Sequence, residues 1–285
     1  MTLTWLALDG VGHPADAPPG SPWETELPTL RPLIQAGQSL DATLSVDGLP
    51  QSATGQATWL TGENAAALMG HHYGPRPGPT LTRALHRALP ARLAETGRRT
   101  RLLNHYPPRY FERTRAPHGC FPLSVLLAGG ALNPPGEPVL MPTFGLNFEA
   151  PYGTGQNLDD TRRLGERIAR TRAHADLTLL DLWFSDHLGH QGRPDFSSDL
   201  HGAARAYLRH LDALIEGITH AGGAVIVTSD HGNFENLGVK THTLARVPFA
   251  ASGVTLPRSR TIQEGSRAIL GLFGLAPDST KDGTL

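Results

Sequence analysis

The stretch that decides the fold is Val225–Asn233, which reads Val-Ile-Val-Thr-Ser-Asp-His-Gly-Asn. Its β-branched start predicts a buried parallel strand, and the glycine predicts the turn that ends this strand. In an open α/β sheet, ligands bind in the crevice beyond the carboxyl ends of the strands, and Asp230 and His231 lie at such an end. A carboxylate beside an imidazole suits Zn²⁺ or Mn²⁺. Taken alone, such a pair is more often a turn in which the aspartate caps the next element and the histidine is solvated.

Two more predicted strands end in the same way. Residues 3–8 are followed by Asp9, and residues 177–184 are followed by Asp186 and His190. Segments with helical spacing of apolar residues alternate with these strands. This alternation predicts an α/β fold that is doubly wound around a mostly parallel central sheet, with helices on both faces. The remaining predicted elements are strands at 40–46, 100–104 and 247–250, a helix that begins near residue 30, a helix over 81–93 interrupted or kinked at Pro90, a possible helix at 122–132, and helices at 158–174, 198–221 and 261–273.

Ser52 is a candidate nucleophile. A loop rich in polar residues leads into a short helix, and Ser52 lies near the first turn of that helix. Free backbone N–H groups and the helix dipole make such a position attractive to anions such as phosphate. A serine hydroxyl there can attack phosphorus if a metal ion or a base lowers its pKa. The alternative is that Ser52 or Thr54 is only the N-cap of the helix.

The polar side chains at the strand exits form a set of metal-binding type. They come from different connections, which makes independent turns a poor explanation for all of them. Their number is about what two metal ions that share a nucleophile require. The set consists of Asp9, Ser52, Asp186, His190, Asp230, His231 and His242.

In order along the chain, these motifs resemble the alkaline phosphatase superfamily. The similarity is greatest to the metalloenzyme branch that holds cofactor-independent phosphoglycerate mutase and phosphopentomutase. The resembling segments are Asp9-Gly10, Ser52-Ala53-Thr54-Gly55, Asp186-His187-Leu188-Gly189-His190, Asp230-His231-Gly232-Asn233 and Thr241-His242-Thr243, which together span most of the chain. The resemblance implies an alkaline-phosphatase-like fold, a metal-dependent enzyme, and two divalent metal ions, Mn or Zn with Mg as a further option.

The resemblance also implies a role for each residue of the set. Ser52 matches the nucleophile that becomes a phosphoserine. One metal ion would be held by Asp186, His190 and His242, and the other by Asp9, Ser52, Asp230 and His231. Neighbouring side chains that could touch the substrate phosphate or support the ligands are His13, Asp181, His187, Asn233, Glu235 and Lys240.

The sequence departs from the mutases at two places, and one of them, the cap, bears on the choice between hydrolysis and phosphoryl transfer. The mutases carry a substantial cap domain after the nucleophile, whereas here only about 106–155 remains for a small cap or insertion. The phosphoglycerate mutases also have Asn before the nucleophile and Gly-His soon after it, where this chain has Gln51 and Gly55-Gln56. A reduced cap favours hydrolysis of a small phosphorylated metabolite. The alternatives are a phosphomutase that acts on a sugar phosphate and a metal-binding protein without catalytic activity.

Composition sets the remaining expectations. The length and the hydrophobic content of 39% predict a single domain over residues 1–285. A formal net charge of -1 gives no electrostatic argument for a nucleic acid or an anionic membrane as a partner. Cys120 is the only cysteine, so an internal disulfide is excluded and a buried, inert thiol is expected. The first apolar run, residues 5–8, is too short for a secretion signal or a membrane span, so we expect a cytoplasmic protein. The sequence does not predict the oligomeric state.

Overall fold

The computed structural model describes residues 2–112 and 118–275. Its centre is a six-stranded sheet with the strand order β2-β6-β5-β1-β4-β3. Residues 113–117, which fall inside the predicted cap range, lie outside the described residues, as does the end of the chain after residue 275. The strands are β1 (Leu3–Leu8), β2 (Gln38–Leu40), β3 (Thr100–Leu102), β4 (Leu177–Leu182), β5 (Ala224–Ser229) and β6 (Val247–Ser252).

The directions of the strands place the loops that matter for function. β1 pairs in parallel with both β4 and β5, and β3 pairs in parallel with β4. β6 pairs antiparallel with β5 and with β2, so among the described strands it alone runs in the opposite direction. The start of β6 therefore lies at the edge where the other five strands end. The loop from β5 to β6 stays at that edge throughout, which matters because this loop carries three of the predicted ligands.

Helices cover both faces of the sheet, as the doubly wound pattern predicts. Side chains alternate along β1, so that Trp5 packs into one core and Leu6 into the other. The helices are α1 (Leu30–Ala36), α2 (Ser52–Thr61), α3 (Ala65–Met69), α4 (Pro79–Leu85), α5 (Leu89–Glu95), α6 (Pro108–Phe111), α7 (Cys120–Leu127), α8 (Leu158–Arg170), α9 (Phe184–Gly189), α10 (Ser198–His220) and α11 (Ile262–Leu272). All residues of α2 are buried, because this helix lies between the sheet and other helices. None of the described helices is both long and apolar enough to cross a membrane.

The α/β fold with a mostly parallel sheet is confirmed, but several predicted boundaries are wrong. The strand predicted at 40–46 ends at Leu40. Beyond it, Leu44 and Ser45 have φ angles of 54° and 58°, which no strand accommodates. The helix predicted over 81–93 is two helices, and Pro90 lies in the first turn of the second, where its missing N–H costs nothing. The strand predicted at 177–184 ends at Leu182, because Phe184 already begins α9.

The range predicted as a possible small cap contributes to the body of the fold. Its helix α7 begins and ends earlier than the predicted 122–132. Phe121 and Val125 of this helix belong to the same core cluster as Trp5 of the central strand. Cys120 is also buried there, as expected for an inert thiol. The single-domain organisation, with or without a small cap, stays a prediction.

Candidate metal centre

The predicted ligands converge because of the strand directions. Asp9 follows β1, and Asp230 and His231 follow β5, so both groups emerge at the same edge of the sheet. β2 is parallel to these strands, so the loop after it delivers Ser52, the first residue of α2, to that edge. Asp186 lies on α9 just beyond β4. The two remaining ligands, His190 and His242, come from the end of α9 and from the loop before β6.

Asp9, Asp230 and His231 form one group of three potential ligands, which we call the inner group. All three are almost completely buried. His231 Nε2 lies 3.2 Å from Asp9 Oδ1 and 3.9 Å from Asp230 Oδ2. Ser52 Oγ joins the group, since it lies 3.1 Å from His231 Nε2 and 3.3 Å from Asp9 Oδ1. The candidate nucleophile thus shares its surroundings with two carboxylates and an imidazole.

Asp186, His190 and His242 form the second group, which we call the outer group. His190 Nε2 lies 3.2 Å from Asp186 Oδ2 and 3.2 Å from His242 Nε2. His242 Nε2 lies 3.5 Å from Asp186 Oδ1. The side chain of His190 is 42% exposed, whereas that of His231 in the inner group is 0% exposed. Access from solvent is therefore on the side of the outer group.

The three imidazoles have the orientation that metal binding requires. In each ring, Nδ1 lies within hydrogen-bond distance of a backbone carbonyl: Gly232 for His231, Lys240 for His190 and Pro50 for His242. A carbonyl oxygen only accepts, so each Nδ1 carries the proton. In the neutral ring, Nε2 then holds a lone pair that points into its group, which is how ligand histidines are usually fixed. Nitrogen and carboxylate oxygen donors together fit Mn²⁺ or Zn²⁺.

The two groups are adjacent and electrostatically coupled. The rings of His231 and His242 stack with their centroids 3.8 Å apart. Burial alone would lower the pKa of His231, but the carboxylates of Asp230, Asp9 and Asp186 outweigh it and raise this pKa to about 10. Burial, together with the charge of His231, lowers the pKa of His242 to about 4. One histidine between the carboxylates is therefore protonated before any cation binds, while its stacked neighbour is neutral.

The pKa values of the aspartates reflect the same competition. Burial and the nearby Asp230 carboxylate raise the pKa of Asp9 well above its ordinary value. For Asp186, burial acts in the same direction, but hydrogen bonding to His190 and the charge of His231 prevail and lower its pKa. Three carboxylates this close together are the environment that a divalent cation stabilises.

Two of the supporting residues predicted from the sequence contact the ligands or their loops. Asn233 donates from Nδ2 to Asp186 Oδ1 at 2.7 Å and so fixes that carboxylate. The buried Glu235 carboxylate accepts from the backbone N–H of Gly12 and of Asn233, and from the hydroxyl of Thr243. Because these partners belong to the loop after β1 and to both ends of the β5–β6 loop, Glu235 ties together three segments that carry ligands.

The side chains of His13 and His187 have partners away from the two groups, and Lys240 contributes through its backbone. His13 accepts a hydrogen bond at Nδ1 from the N–H of Ala15, and burial lowers its pKa. His187 lies with Nε2 2.7 Å from the carbonyl oxygen of Phe148. Lys240 contributes its backbone carbonyl to the orientation of His190, and its side chain is exposed.

Asp181, the last of the predicted supporting residues, lies within β4. Its backbone N–H and carbonyl bond to the side chain of Asn104. The carboxyl group is buried, and burial together with the charge of Asp230 raises its pKa to about 7.

One polar residue at the site was not predicted from the sequence. Gln56 is buried and donates from Nε2 to Asp9 Oδ2 at 3.0 Å and to Asp230 Oδ2 at 3.1 Å. In the sequence, Gln56 stands out only as a departure from the mutase pattern. The available signal was its spacing, because residues four apart on a helix share a face and Gln56 follows Ser52 by four.

Two glycines permit the close packing of the ligand segments. Gly10 has a φ of +70°, and a Cβ there would lie 2.6 Å from Asp186 Oδ1. Gly55 of α2 packs against the chain after β5, so that a Cβ would lie 2.7 Å from the carbonyl oxygen of Asp230. Both contacts are shorter than real Cβ atoms make, so a side chain at either position displaces a ligand.

Comparison with known proteins finds similarity over part of the chain. Residues 145–273 match the family described as the Metalloenzyme superfamily. A 2,3-bisphosphoglycerate-independent phosphoglycerate mutase from Ruegeria pomeroyi is 31% identical over 178 residues, which is 59% of this chain and 34% of that protein. The enzyme of the same name from Haloquadratum walsbyi is 40% identical over 79 residues, which is 26% of this chain and 15% of that protein. This chain thus spans at most about a third of the length of these two relatives.

Similarity of the fold covers nearly the whole chain. A solved sulfatase structure from Bacteroides thetaiotaomicron is similar over 99% of this chain and 74% of its own, with 11% identity and a TM-score of 0.56. At that identity the similarity concerns the fold alone, which is alkaline-phosphatase-like. The matched segment includes Asp186, His190, Asp230, His231 and His242, so it covers most of the candidate ligands. Residues 145–273 are therefore similar to the Metalloenzyme superfamily, and the fold of nearly the whole chain is similar to that of alkaline-phosphatase-like proteins.

Proposed function

We propose that the protein is a two-metal phosphoester hydrolase that acts on a small phosphorylated metabolite through a phosphoserine at Ser52. The observation that carries this proposal is the position of Ser52. Its hydroxyl lies at the start of a buried helix and within 3.3 Å of both Asp9 Oδ1 and His231 Nε2. A serine that only capped the helix would not need a buried carboxylate and an imidazole beside its oxygen.

Each of the two groups provides candidate ligands for one metal ion. The inner group with Ser52 would hold one divalent ion, and the outer group would hold the other. When bound, such ions lower the pKa of the serine hydroxyl and neutralise charge on the phosphoryl group. Three carboxylates against two divalent cations leave an excess of positive charge, which favours an anionic substrate. We propose Mn²⁺ or Zn²⁺ because the donors mix imidazole nitrogen with carboxylate oxygen.

The residues of the chain provide the geometry of the reaction. The N–H groups in the first turn of α2 and the dipole of this helix favour a phosphate next to Ser52. Attack forms the Oγ–P bond and breaks the bond from phosphorus to the leaving oxygen, which departs on the opposite side of the phosphoryl group. Water then cleaves the phosphoserine, so that free phosphate is released and the hydroxyl of Ser52 is restored. Because the outer group is the exposed one, the leaving group points towards solvent past His190.

A phosphomutase that acts on a sugar phosphate is the second candidate, and the names of the curated relatives favour it. In that reaction Ser52 returns the phosphoryl group to another hydroxyl of the substrate rather than to water. The short range left for a cap between Ser52 and Asp186, about 106–155, favours hydrolysis, since a mutase must hold its intermediate in a closed site. A metal-binding protein without catalysis is the third candidate, and the location of Ser52 between ligands argues against it.

Phosphate release from a panel of phosphate mono- and diesters tests the proposal. The protein is stripped of metal, re-supplied with Mn²⁺, Zn²⁺ or Mg²⁺, and compared with Ser52→Ala. Ser124→Ala is the matched control, because Ser124 is also a buried helical serine and its hydroxyl donates to the carbonyl of Phe121, away from both groups. We expect metal-dependent release that is lost in Ser52→Ala and kept in Ser124→Ala. Full activity of Ser52→Ala would refute the nucleophile.

The same preparation separates the hydrolase from the mutase. Glycerate and pentose phosphates are incubated with the metal-loaded protein, and the products are examined by phosphorus NMR. Isomer formation without release of phosphate would replace the hydrolase with the mutase. Absence of both reactions, with two metal ions still bound per chain, would favour the non-catalytic protein.

A further inference from the structure

Gln56 bridges the two carboxylates of the inner group. Its single amide nitrogen donates one hydrogen to Asp9 Oδ2 and the other to Asp230 Oδ2. The residue is only 6% exposed, and it lies on the same helix as Ser52, one turn further along. Both hydrogens of the amide are thus used within the group of potential metal ligands.

These bonds determine which carboxylate oxygens face the nucleophile. Asp9 Oδ2 is occupied by Gln56, so Asp9 Oδ1 is the oxygen that faces Ser52 Oγ and His231 Nε2. Asp230 is held at both oxygens, by Gln56 at Oδ2 and by the N–H of Gly10 at Oδ1. The rotamers of both aspartates are fixed by groups that are not themselves metal ligands.

We infer that Gln56 is a positioning residue of the inner metal site, which holds Asp9 and Asp230 in the orientation that binds a divalent cation. This inference rests on the proposed function only through its two metal ions and not through the choice of substrate or reaction. A carboxamide suits the role because it supplies two N–H donors without adding charge. A carboxylate at this position has no N–H to donate, and a neutral imidazole has one.

The role predicts a selective loss of metal affinity. Hydrogen-bond partners of metal ligands typically contribute a factor of about 10 to 100 in affinity. We therefore expect Gln56→Ala to weaken Mn²⁺ binding at the inner site by about that factor and to leave the outer site nearly unchanged. Gln56→His, which keeps one donor, should lie between Gln56→Ala and the wild type. A residue that served only packing would not follow this order of donors.

Isothermal titration of the full-length, metal-free protein with Mn²⁺ measures these affinities. His190→Ala in the background removes the outer site, so the effect of Gln56→Ala on the inner site is measured alone. Asp230→Asn in the background weakens the inner site and reports the outer one. Gln263→Ala is the matched control. The side-chain amide of Gln263 also donates a hydrogen bond, but its acceptor is the carbonyl of Gly62, at the C-terminal end of α2 and away from the inner group.

The outcomes separate this inference from the proposed function. Two ions per wild-type chain, with a weakened inner site in Gln56→Ala and an unchanged one in Gln263→Ala, would support it. Equal inner-site affinity in the wild type and Gln56→Ala would refute the positioning role and leave the hydrolase proposal intact. A wild type that binds no Mn²⁺, Zn²⁺ or Mg²⁺ would overturn both.

Discussion

The substitution Gly55→Ala tests whether α2 is placed by direct contact with the loop that carries Asp230. An alanine Cβ would lie 2.7 Å from the carbonyl oxygen of Asp230 and 2.8 Å from its Cβ. Ordinary contact begins at 3.4 Å, so α2 and this loop must separate by about 0.7 Å. Neither atom is the flexible end of a side chain, so the backbone itself has to move.

The magnitude follows from two opposing contributions. Alanine is favoured over glycine inside a helix by about 1 kcal/mol. Overpacking of this kind costs about 1–3 kcal/mol, so the net destabilisation is up to about 2 kcal/mol, or a few °C in Tm for a chain of this size. The activity falls further, because a displacement approaching 1 Å between reacting groups costs up to about 100-fold.

Thermal unfolding and phosphate release of Gly55→Ala are compared with those of Gly202→Ala. Gly202 lies in α10, and a Cβ there meets nothing within 4 Å. We expect Gly202→Ala to raise Tm by about 2 °C and to keep its activity, since only the helix propensity changes. A Gly55→Ala variant with unchanged Tm and full activity would show that α2 is not held against Asp230.

Three further predictions concern charge and hydrogen bonding. First, the pKa of His231 is raised to about 10, so the metal-free protein carries a proton on His231 at neutral pH, and a cation must displace this proton. The affinity for Mn²⁺ should therefore fall by up to about tenfold per pH unit as the pH is lowered from 8 to 6. Titrations that show no such fall would refute the protonation of His231. Second, burial raises the pKa of Asp181 to about 7, so the native state binds a proton between about pH 4 and 7 that the unfolded chain does not, and stability falls as pH rises through this window. Asp181→Asn should therefore flatten the decline of Tm between pH 5 and 8 in the metal-free protein, and an equally steep decline would contradict the assignment. Third, Glu235→Ala leaves three donors without their acceptor, which should lower Tm by several °C and weaken metal binding, since each lost partner costs about 1–3 kcal/mol. Glu24→Ala is its control, because Glu24 is exposed and accepts from the nearby N–H of Gly20. Equal Tm values for the two variants would refute the role of Glu235.

The fold class was predictable because the main strands are recognisable from their own residues. The apolar runs at β1, β4 and β5 are long, and each is followed within a few residues by a charged side chain. Parallel strands end at one edge, so the convergence of Asp9, Asp186 and Asp230 follows from the strand directions. The limits of β2 were not predictable in the same way, since alternation continued into residues whose backbone turns at Leu44.

Gln56 and the reversed strand β6 were missed for different physical reasons. A glutamine on a helix has no local signature of burial, because its environment is set by the packing of α2 against β5. The direction of β6 depends on pairing with β5 and β2, and residues 247–250 are compatible with either direction. That direction nevertheless explains the position of His242, because the loop from β5 never has to cross the sheet.

The buried carboxylates of the inner group explain why a protonated histidine and a neutral amide lie beside them in the metal-free protein. Asp9 and Asp230 lie in the same apolar interior, and burial raises the pKa of each. Without a counter-charge, two such groups would be costly to keep ionised. His231 supplies the counter-charge, and Gln56 supplies donors that satisfy one oxygen of each carboxylate. A divalent cation could then replace the proton of His231 without a change in the rotamer of either aspartate, because Gln56 already bonds one oxygen of each carboxylate. The orientation of the candidate ligands is in this way determined by the fold, and a bound divalent ion would complete the charge of the site.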